Sequence, residues 1–337
     1  MGRVAWTEER GTSDEGRPRV KAQAPRERSE RRQLVTGAAE VKVAAVLVTY
    51  NRKELLVEAL TALRAQTRPA DTVIVVDNAS TDGTADLVRE RFAEVELLQR
   101  TRNLGGAGGF AAGIARALEG GAGLVWLMDD DTVPRPPALA ALLTALLTTR
   151  ASTAAVLVAS RVVWTDGRDH PMNTPRTLRA VPGLPADCAR IRSASFVSVL
   201  IDATAIRERG LPIADYFLWN DDFEFTTRLL RGRLGLLCRS SVVVHRTAAF
   251  GSAEVDPGPR FFYEVRNKVW LFTRSPGLAP VERLLYAGST VRRWIRTFAR
   301  SADRATLRRE LRRGLIAGVR TRPRPTHDVL ATEGPPR

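Results

Sequence analysis

Four short strand-like runs, each closing on a polar or glycine-rich stretch, decide what this chain can fold into. They are Val43-Ala44-Ala45-Val46-Leu47-Val48, Thr72-Val73-Ile74-Val75-Val76, Val95-Glu96-Leu97-Leu98 and Leu124-Val125-Trp126-Leu127-Met128. The longest are unbroken apolar runs, as expected of strands covered on both faces. Glu54, Leu55, Leu56, Ala59, Leu60 and Leu63 follow the first at helical spacing until Pro69. Further helices are predicted over Ala85–Phe92 and from about Gly109 to Leu118. Strands alternating with helices at these intervals build βαβ units around a mostly parallel sheet, an α/β fold. Such sheets bind ligands at the carboxyl ends of their strands. Thr49–Arg52, Asp77–Asp82, Arg102–Gly109 and Asp129–Asp131 are therefore the stretches where function is expected.

The rest of the chain divides by composition. Residues 1–40 are charged, nearly balanced and without apolar period, so a disordered tail is expected, with a second over 326–337. Residues 138–149 read as a helix, 165–192 as a proline-rich loop, Ser195–Ile201 and Gly235–Val244 as strands, and Phe223–Leu230 as a helix. One core domain over 41–275 is expected, with a nucleotide-binding half (41–131) and an acceptor half (132–275). No run of about 18 apolar residues and no apolar leader is present, so neither a spanning helix nor a secretory signal is expected. Cys188 and Cys238 lie far apart at no metal spacing and read as ordinary reduced thiols.

The net charge of +15 predicts an anionic partner. Two thirds of it sits in 281–325, within a basic helical region expected over 276–325. There Leu284, Leu285, Val291, Trp294, Ile295 and Phe298 interleave with Arg292, Arg293, Arg296 and Arg300. A helix lying on an anionic membrane surface and a packed helix with a solvated arginine face both fit this pattern. No RNA- or DNA-reading module is recognisable, so nucleic acid is not expected.

Asp129-Asp130-Asp131 directly follows an apolar strand. Adjacent carboxylates repel, and an i, i+2 pair at a strand end suits a divalent ion that also holds a diphosphate. Asp129 and Asp131 are the expected ligands, with Asp130 turned to the bound ligand or the sheet. Asp77-Asn78 fits either a turn or a base-reading carboxylate. Asn103, Gly105 and Gly106 belong to a glycine-rich run that either brings backbone to a phosphate or sugar or packs tightly on the sheet. Its spacing is not that of a dinucleotide fingerprint, which excludes a Rossmann dehydrogenase. Trp219-Asn220-Asp221-Asp222-Phe223-Glu224 opens a helix, where carboxylates serve either as caps or as a general base.

Together, Thr49-Tyr50-Asn51-Arg52, Val75–Asp82 and the acidic run resemble the inverting GT-A glycosyltransferases of glycosyltransferase family two. Asn103-Leu104-Gly105-Gly106-Ala107-Gly108-Gly109-Phe110 is similar to the bacterial cell-wall galactofuranosyltransferases and rhamnosyltransferases of that family. The resemblance covers roughly residues 43–275. It implies that Thr49, Asn51 and Arg52 contact the nucleoside and that Asp77 accepts from the uracil edge. It also implies that Asp222 is the base, that Trp219, Asp221 and Glu224 orient the acceptor, and that His245 joins Asp129 and Asp131 on Mn²⁺ or Mg²⁺. In the aromatic run before Arg266-Asn267, either Arg266 offsets charge on the leaving diphosphate or the helix merely packs. The implied partners are a UDP- or dTDP-sugar and a polyprenyl-diphosphate-linked acceptor at the inner face of the cell membrane. The leading expectation is transfer of galactofuranose; rhamnosyl transfer, and a non-catalytic adaptor of the same fold, are the alternatives.

Overall fold

The computed structural model describes residues 41–331 apart from 151–153, 249 and 251–255. The tail expected over 1–40 and the end of the chain from 332 lie outside the described residues. Strands β1 (Val43–Thr49), β2 (Thr72–Asp77), β3 (Glu96–Gln99) and β4 (Leu124–Asp129) alternate with helices α1 (Lys53–Arg64), α2 (Thr84–Arg91) and α3 (Gly105–Glu119). All four strands are parallel, in the order β3-β2-β1-β4. β1 is buried along its whole length, and its pleat divides it between two cores. Val43, Ala45 and Leu47 pack with α1 and with α4 (Ala138–Arg150), while Ala44, Val46 and Val48 pack with α3. A strand that serves two cores has no polar face, which is why its sequence is continuous rather than alternating.

The acceptor half extends the same sheet with β5 (Thr132–Pro134), β6 (Ala155–Val163), β7 (Cys188–Ile191), β8 (Val199–Asp202) and β9 (Leu234–His245). Here the sheet is mixed. β8 runs antiparallel between β4 and β6, β6 is parallel to β9, and β5 and β7 pair antiparallel with opposite halves of β9. The 165–192 segment, expected as loop throughout, thus ends in the short edge strand β7. Its Arg190 and flanking prolines hide the strand signal. The first half of the expected Ser195–Ile201 strand is loop.

α5 (Ala203–Arg209) and α6 (Asp221–Leu229) follow β8, and α7 (Phe261–Thr273), α8 (Pro280–Arg300), α9 (Arg304–Arg320) and α10 (Thr326–Ala331) complete the chain. The tail expected over 326–337 is therefore helical at its start: Val329 is buried against Leu104, Ala111 and Ala214.

The glycine-rich run holds the clearest departure from expectation. Gly105, Gly106, Gly108 and Gly109 lie inside α3 rather than in a loop before it. A Cβ on Gly109 would meet Val48 Cγ1 at 2.4 Å, and one on Gly113 would meet Val46 Cγ1 at 2.3 Å. Glycine is a poor helix former, but here its missing side chain lets α3 lie directly on β1. Packing on the sheet accounts for Gly109 and Gly113, and the close approach of the Phe217 backbone accounts for Gly105. Of the candidate donor contacts in this run, only Gly106 faces open space. Gly113→Ala is expected to destabilise the fold by about 1–3 kcal/mol through overpacking. Urea unfolding would show this as a lowered midpoint with an unchanged slope.

Candidate active site

The acidic run lies where β4 ends, beside β1. Thr49 at the end of β1 donates its hydroxyl to Asp130 Oδ2 at 2.8 Å. Arg52 Nη1 reaches Asp130 Oδ1 at 3.3 Å and Asp131 Oδ2 at 2.9 Å. Asn51, held at φ 53°, accepts the Thr81 N–H at 2.7 Å, and its own N–H donates to Ser80. The first strand-end loop is thereby fastened to the second. Asp77 is fully buried: Oδ1 accepts from the Ser80 N–H at 3.0 Å, while Oδ2 has no partner within the protein. A buried carboxylate oxygen without a donor is costly unless a ligand supplies one.

β9 brings His245 into the cluster from the far side of the sheet, in register with Thr132. His245 Nε2 lies 3.0 Å from Asp131 Oδ1, an oxygen that is buried and has no well-aligned hydrogen bond. Donor atoms of Asp129, Asp131 and His245 lie within 4.8 Å of one another. Asn173 Oδ1 accepts from His245 Nδ1–H at 2.9 Å, and the Asn173 amide in turn donates to Ser195. The imidazole is thus held with Nε2 turned toward the carboxylates, the usual outer-shell arrangement of a ligating histidine. The ring of His170 packs 5.1 Å from it.

The electrostatics fit a divalent cation at this cluster. Burial, and then Asp131, push the Asp129 carboxyl up to about 7, with Asp130 and Asp222 adding to the rise. Asp130 is pushed up to about 6, chiefly by burial. Burial also opposes ionisation of Asp131, but His245 and Arg52 outweigh it and hold this group below its ordinary value. The buried Asp129 and Asp131 carboxylates and the His245 imidazole form an oxygen–nitrogen set that fits Mn²⁺ or Mg²⁺.

Asp221 and Asp222 open α6, with Trp219 and Asn220 before them. Asp222 lines a cavity of about 400 Å³ together with Asn173, Arg176, Arg192, Lys268 and Arg293. Burial raises the Asp222 carboxyl; the Phe223 N–H and Lys268 oppose the rise. Asp221 is raised well above its ordinary value, by burial and then by Asp222. Lys268 is itself buried, which lowers it to about 8. The segment leading to this pair is conformationally unusual: Phe217, Trp219 and Asn220 all have φ between 63° and 67°. Asn267 holds it, donating through Nδ2 to the carbonyls of Tyr216, Leu218 and Trp219 at 2.9–3.0 Å.

Three expected roles change here. Arg266 donates to the Asp215 and Tyr216 carbonyls and lies over the ring of Trp270. It therefore clamps the same segment rather than facing a diphosphate. Glu224 is buried in an ion pair with Arg228 at 2.9 Å and accepts from Ser275 at 2.7 Å, so it supports α6 from within rather than orienting an acceptor. Asn103 accepts the Gly105 N–H at 2.7 Å, capping the start of α3. Trp219 remains partly exposed, with Arg260 over its ring at 5.6 Å.

Sequence reasoning misses Asn173, His170 and the cationic wall of the cavity. Asn173 carries no local signature, being one polar residue in a proline-rich loop. Lys268 does leave a trace, since it falls at helical spacing between the core residues Phe261, Val265 and Leu271. Asn173→Ala is expected to weaken Mn²⁺ binding by about 10–100-fold. Calorimetric titration of the folded variant with Mn²⁺ would measure it.

Residues 44–200 match the profile of glycosyl transferase family 2. The galactofuranosyltransferase GlfT1 of Mycobacterium tuberculosis is 32% identical over 267 residues, spanning 70% of this chain and 83% of that protein. An undecaprenyl-phosphate mannosyltransferase of Micrococcus luteus is 39% identical over 111 residues, spanning 32% of this chain and 45% of that protein. The crystal structure of S. aureus TarS 1-349 in complex with UDP-GlcNAc has a similar fold, with a TM-score of 0.58 at 15% identity over 82% of this chain and 81% of that one.

Proposed function

The chain belongs to glycosyl transferase family 2 and has a GT-A fold, and from that premise we propose that it transfers galactofuranose from UDP-galactofuranose, with inversion, to a lipid-linked glycan. The observation that carries this reading is the nearness of Asp222 to the Asp129–Asp131–His245 set: Asp222 is close enough to raise the Asp129 carboxyl, and Asn173, which bonds His245, lines the same cavity as Asp222. A donor and an acceptor can meet there with a carboxylate beside the acceptor hydroxyl.

Asp77 Oδ2 supplies the acceptor for the N–H of a uracil edge, and its burial without a partner supports that role. Arg52 steadies Asp130 and Asp131 from the open side of the cluster. Mn²⁺ or Mg²⁺ held by Asp129, Asp131 and His245 would neutralise charge on the departing nucleoside diphosphate. Asp222 takes the proton from the acceptor hydroxyl as that oxygen attacks the anomeric carbon, and the anomeric configuration inverts in one displacement. The choice of galactofuranose rests on the identity to GlfT1 along most of both chains. Uracil and thymine offer Asp77 the same N–H edge, so a donor screen with UDP-galactofuranose and dTDP-rhamnose tests the sugar.

The acceptor side of the cavity is cationic: Arg176, Arg192, Lys268 and Arg293 line it. This supports an acceptor that carries phosphate, as a polyprenyl-diphosphate-linked glycan does. Lys268, Tyr286 and Arg293 place α7 and α8 in the cavity wall. On its opposite face α8 presents Val281, Leu284, Leu285, Val291 and Ile295, which are between 51% and 76% exposed and share one side by the helical period. Arg292 and Arg296 lie exposed along that stripe. An apolar stripe flanked by arginines matches an anionic bilayer surface, which supports peripheral attachment at the inner face of the cell membrane.

Asp222→Asn is expected to lower the turnover number by about 10²–10⁴-fold while leaving UDP affinity unchanged. Persistence of full transfer would sink the enzymatic reading in favour of an adaptor. Because a base works only when deprotonated, and burial raises Asp222 against the pull of Lys268, kcat/KM should fall on acidification at a pH above the ordinary carboxylate range. A pH–rate profile of the intact chain checks the sign. Leu284→Glu with Leu285→Glu should abolish co-sedimentation with vesicles of phosphatidylglycerol, while transfer to a soluble short-chain acceptor continues.

A further inference from the structure

β9 carries a second cluster of potential ligands, seven residues before His245. Cys238 on β9 stands directly opposite Cys188 on β7 in the antiparallel register. Two thiols fifty residues apart in sequence, read there as unrelated, are thus neighbours across one strand pair, and both are buried. Asp187 precedes Cys188 and completes the group. Its Oδ1 lies 3.7 Å from Cys188 Sγ, and its Oδ2 lies 3.6 Å from Cys238 Sγ. All three residues offer donor atoms within 4.8 Å of one another. Ser240 Oγ adds a fourth, 3.2 Å from Cys238 Sγ and 2.5 Å from Asp187 Oδ2.

We propose that Asp187, Cys188 and Cys238 form a second metal site, one for a thiophilic divalent cation of the zinc class, with Ser240 or a water at the fourth position. This inference does not depend on the assignment of sugar or acceptor. Its first support is geometric. A tetrahedral zinc ion with metal–sulfur bonds of about 2.3 Å and metal–oxygen bonds of about 2.0–2.2 Å has sulfur-to-oxygen edges of about 3.5 Å. The two observed sulfur–oxygen separations, one to each oxygen of Asp187, are close to that length. Its second support is preorganisation. The β7–β9 pairing fixes both cysteine backbones, and the Asp187 carbonyl accepts the Arg239 N–H at 3.0 Å, which fixes the carboxylate to the same strand.

A third support is chemical. Free buried cysteines usually behave as small hydrophobes. These two instead share a carboxylate, Cys238 also meets the Ser240 hydroxyl, and Asp187 and Ser240 open the group to solvent, which gives an ion a way in. The ligand softness also separates the two sites: sulfur selects zinc, whereas the oxygen–nitrogen set of Asp129, Asp131 and His245 suits Mn²⁺ or Mg²⁺. Binding releases the two thiol protons to solvent and leaves two thiolates on the ion. The consequence is structural. The register between β6 and β9 shifts immediately after Cys238, where residues 239–241 bulge before β9 resumes toward His245. An ion at Cys188 and Cys238 fastens β7 to β9 at the root of that bulge.

The test uses the full chain, purified with Mg²⁺ present to occupy the acidic site, loaded with zinc and freed of excess. Elemental analysis should find one retained zinc per chain in the unaltered protein and in the double variant Asp129→Asn with Asp131→Asn, but none in Cys188→Ser with Cys238→Ser. Cobalt substitution of the unaltered protein should give thiolate-to-metal charge-transfer absorption, a readout that stands even if the serine variant fails to fold. No retained zinc and no such absorption in the folded protein overturns the proposal. So does an intact mass lower by two hydrogens, which would show the pair joined as a disulfide.

Discussion

Mutual repulsion among five carboxylates is the constraint around which this molecule is arranged. Asp129, Asp130, Asp131, Asp221 and Asp222 are close enough for each cluster to raise the other, and burial removes the water that would screen them. Arg52 and His245 answer part of that charge from opposite sides. The remaining charge suits a divalent cation, and Asp129, Asp131 and His245 offer it an oxygen–nitrogen set.

Holding the cluster together takes two unrelated devices. Asp129–Asp131 are positioned by a parallel sheet, whose hydrogen-bonded register leaves little freedom at a strand end. Asp221 and Asp222 are positioned by a segment with three unusual backbone states, at Phe217, Trp219 and Asn220. That conformation persists because its surroundings over-determine it. Asn267 takes up three of its carbonyls, Arg266 takes up two, and Gly105 lets the backbone of Phe217 come so near that an added Cβ would lie 2.0 Å from its carbonyl oxygen. The glycine-rich helix and the Arg266-Asn267 pair therefore serve the site through the loop that leads to Asp222.

This explains how much of the molecule is legible in its sequence. Strand ends are local signals, so Thr49, Asp77, Asp129, Asp131 and His245 can be found from apolar runs that stop abruptly at a polar residue. The first four strands and the helices between them follow from period alone. Residues that act through backbone are harder to read. Gly105–Gly109 have the composition of a phosphate loop, and only contact with Val48 and Val46 reveals a helix face. Arg266 has the charge for a diphosphate, and only its bonds to main-chain carbonyls give it another task. Glu224 sits in an acidic helix start like its neighbours, yet the helical turn points it inward to Arg228. Asn173 and the Cys188–Cys238 pairing depend on strands distant in sequence, and no local pattern encodes them.

β9 joins these levels. One half pairs with β7 and holds Cys238 against Cys188; the other pairs with β5 and delivers His245 to the carboxylates. The loop leading into β7 supplies Asn173, which fixes the His245 imidazole and lines the cavity beside Asp222. β7 is thus linked to the same imidazole by two short stretches of chain, the bulge at 239–241 and the 165–187 segment. A sheet of mixed direction makes this possible. A purely parallel sheet would bring every strand's carboxyl end to one edge. An antiparallel neighbour such as β7 instead lets residues on the opposite edge of the sheet share a strand with the site.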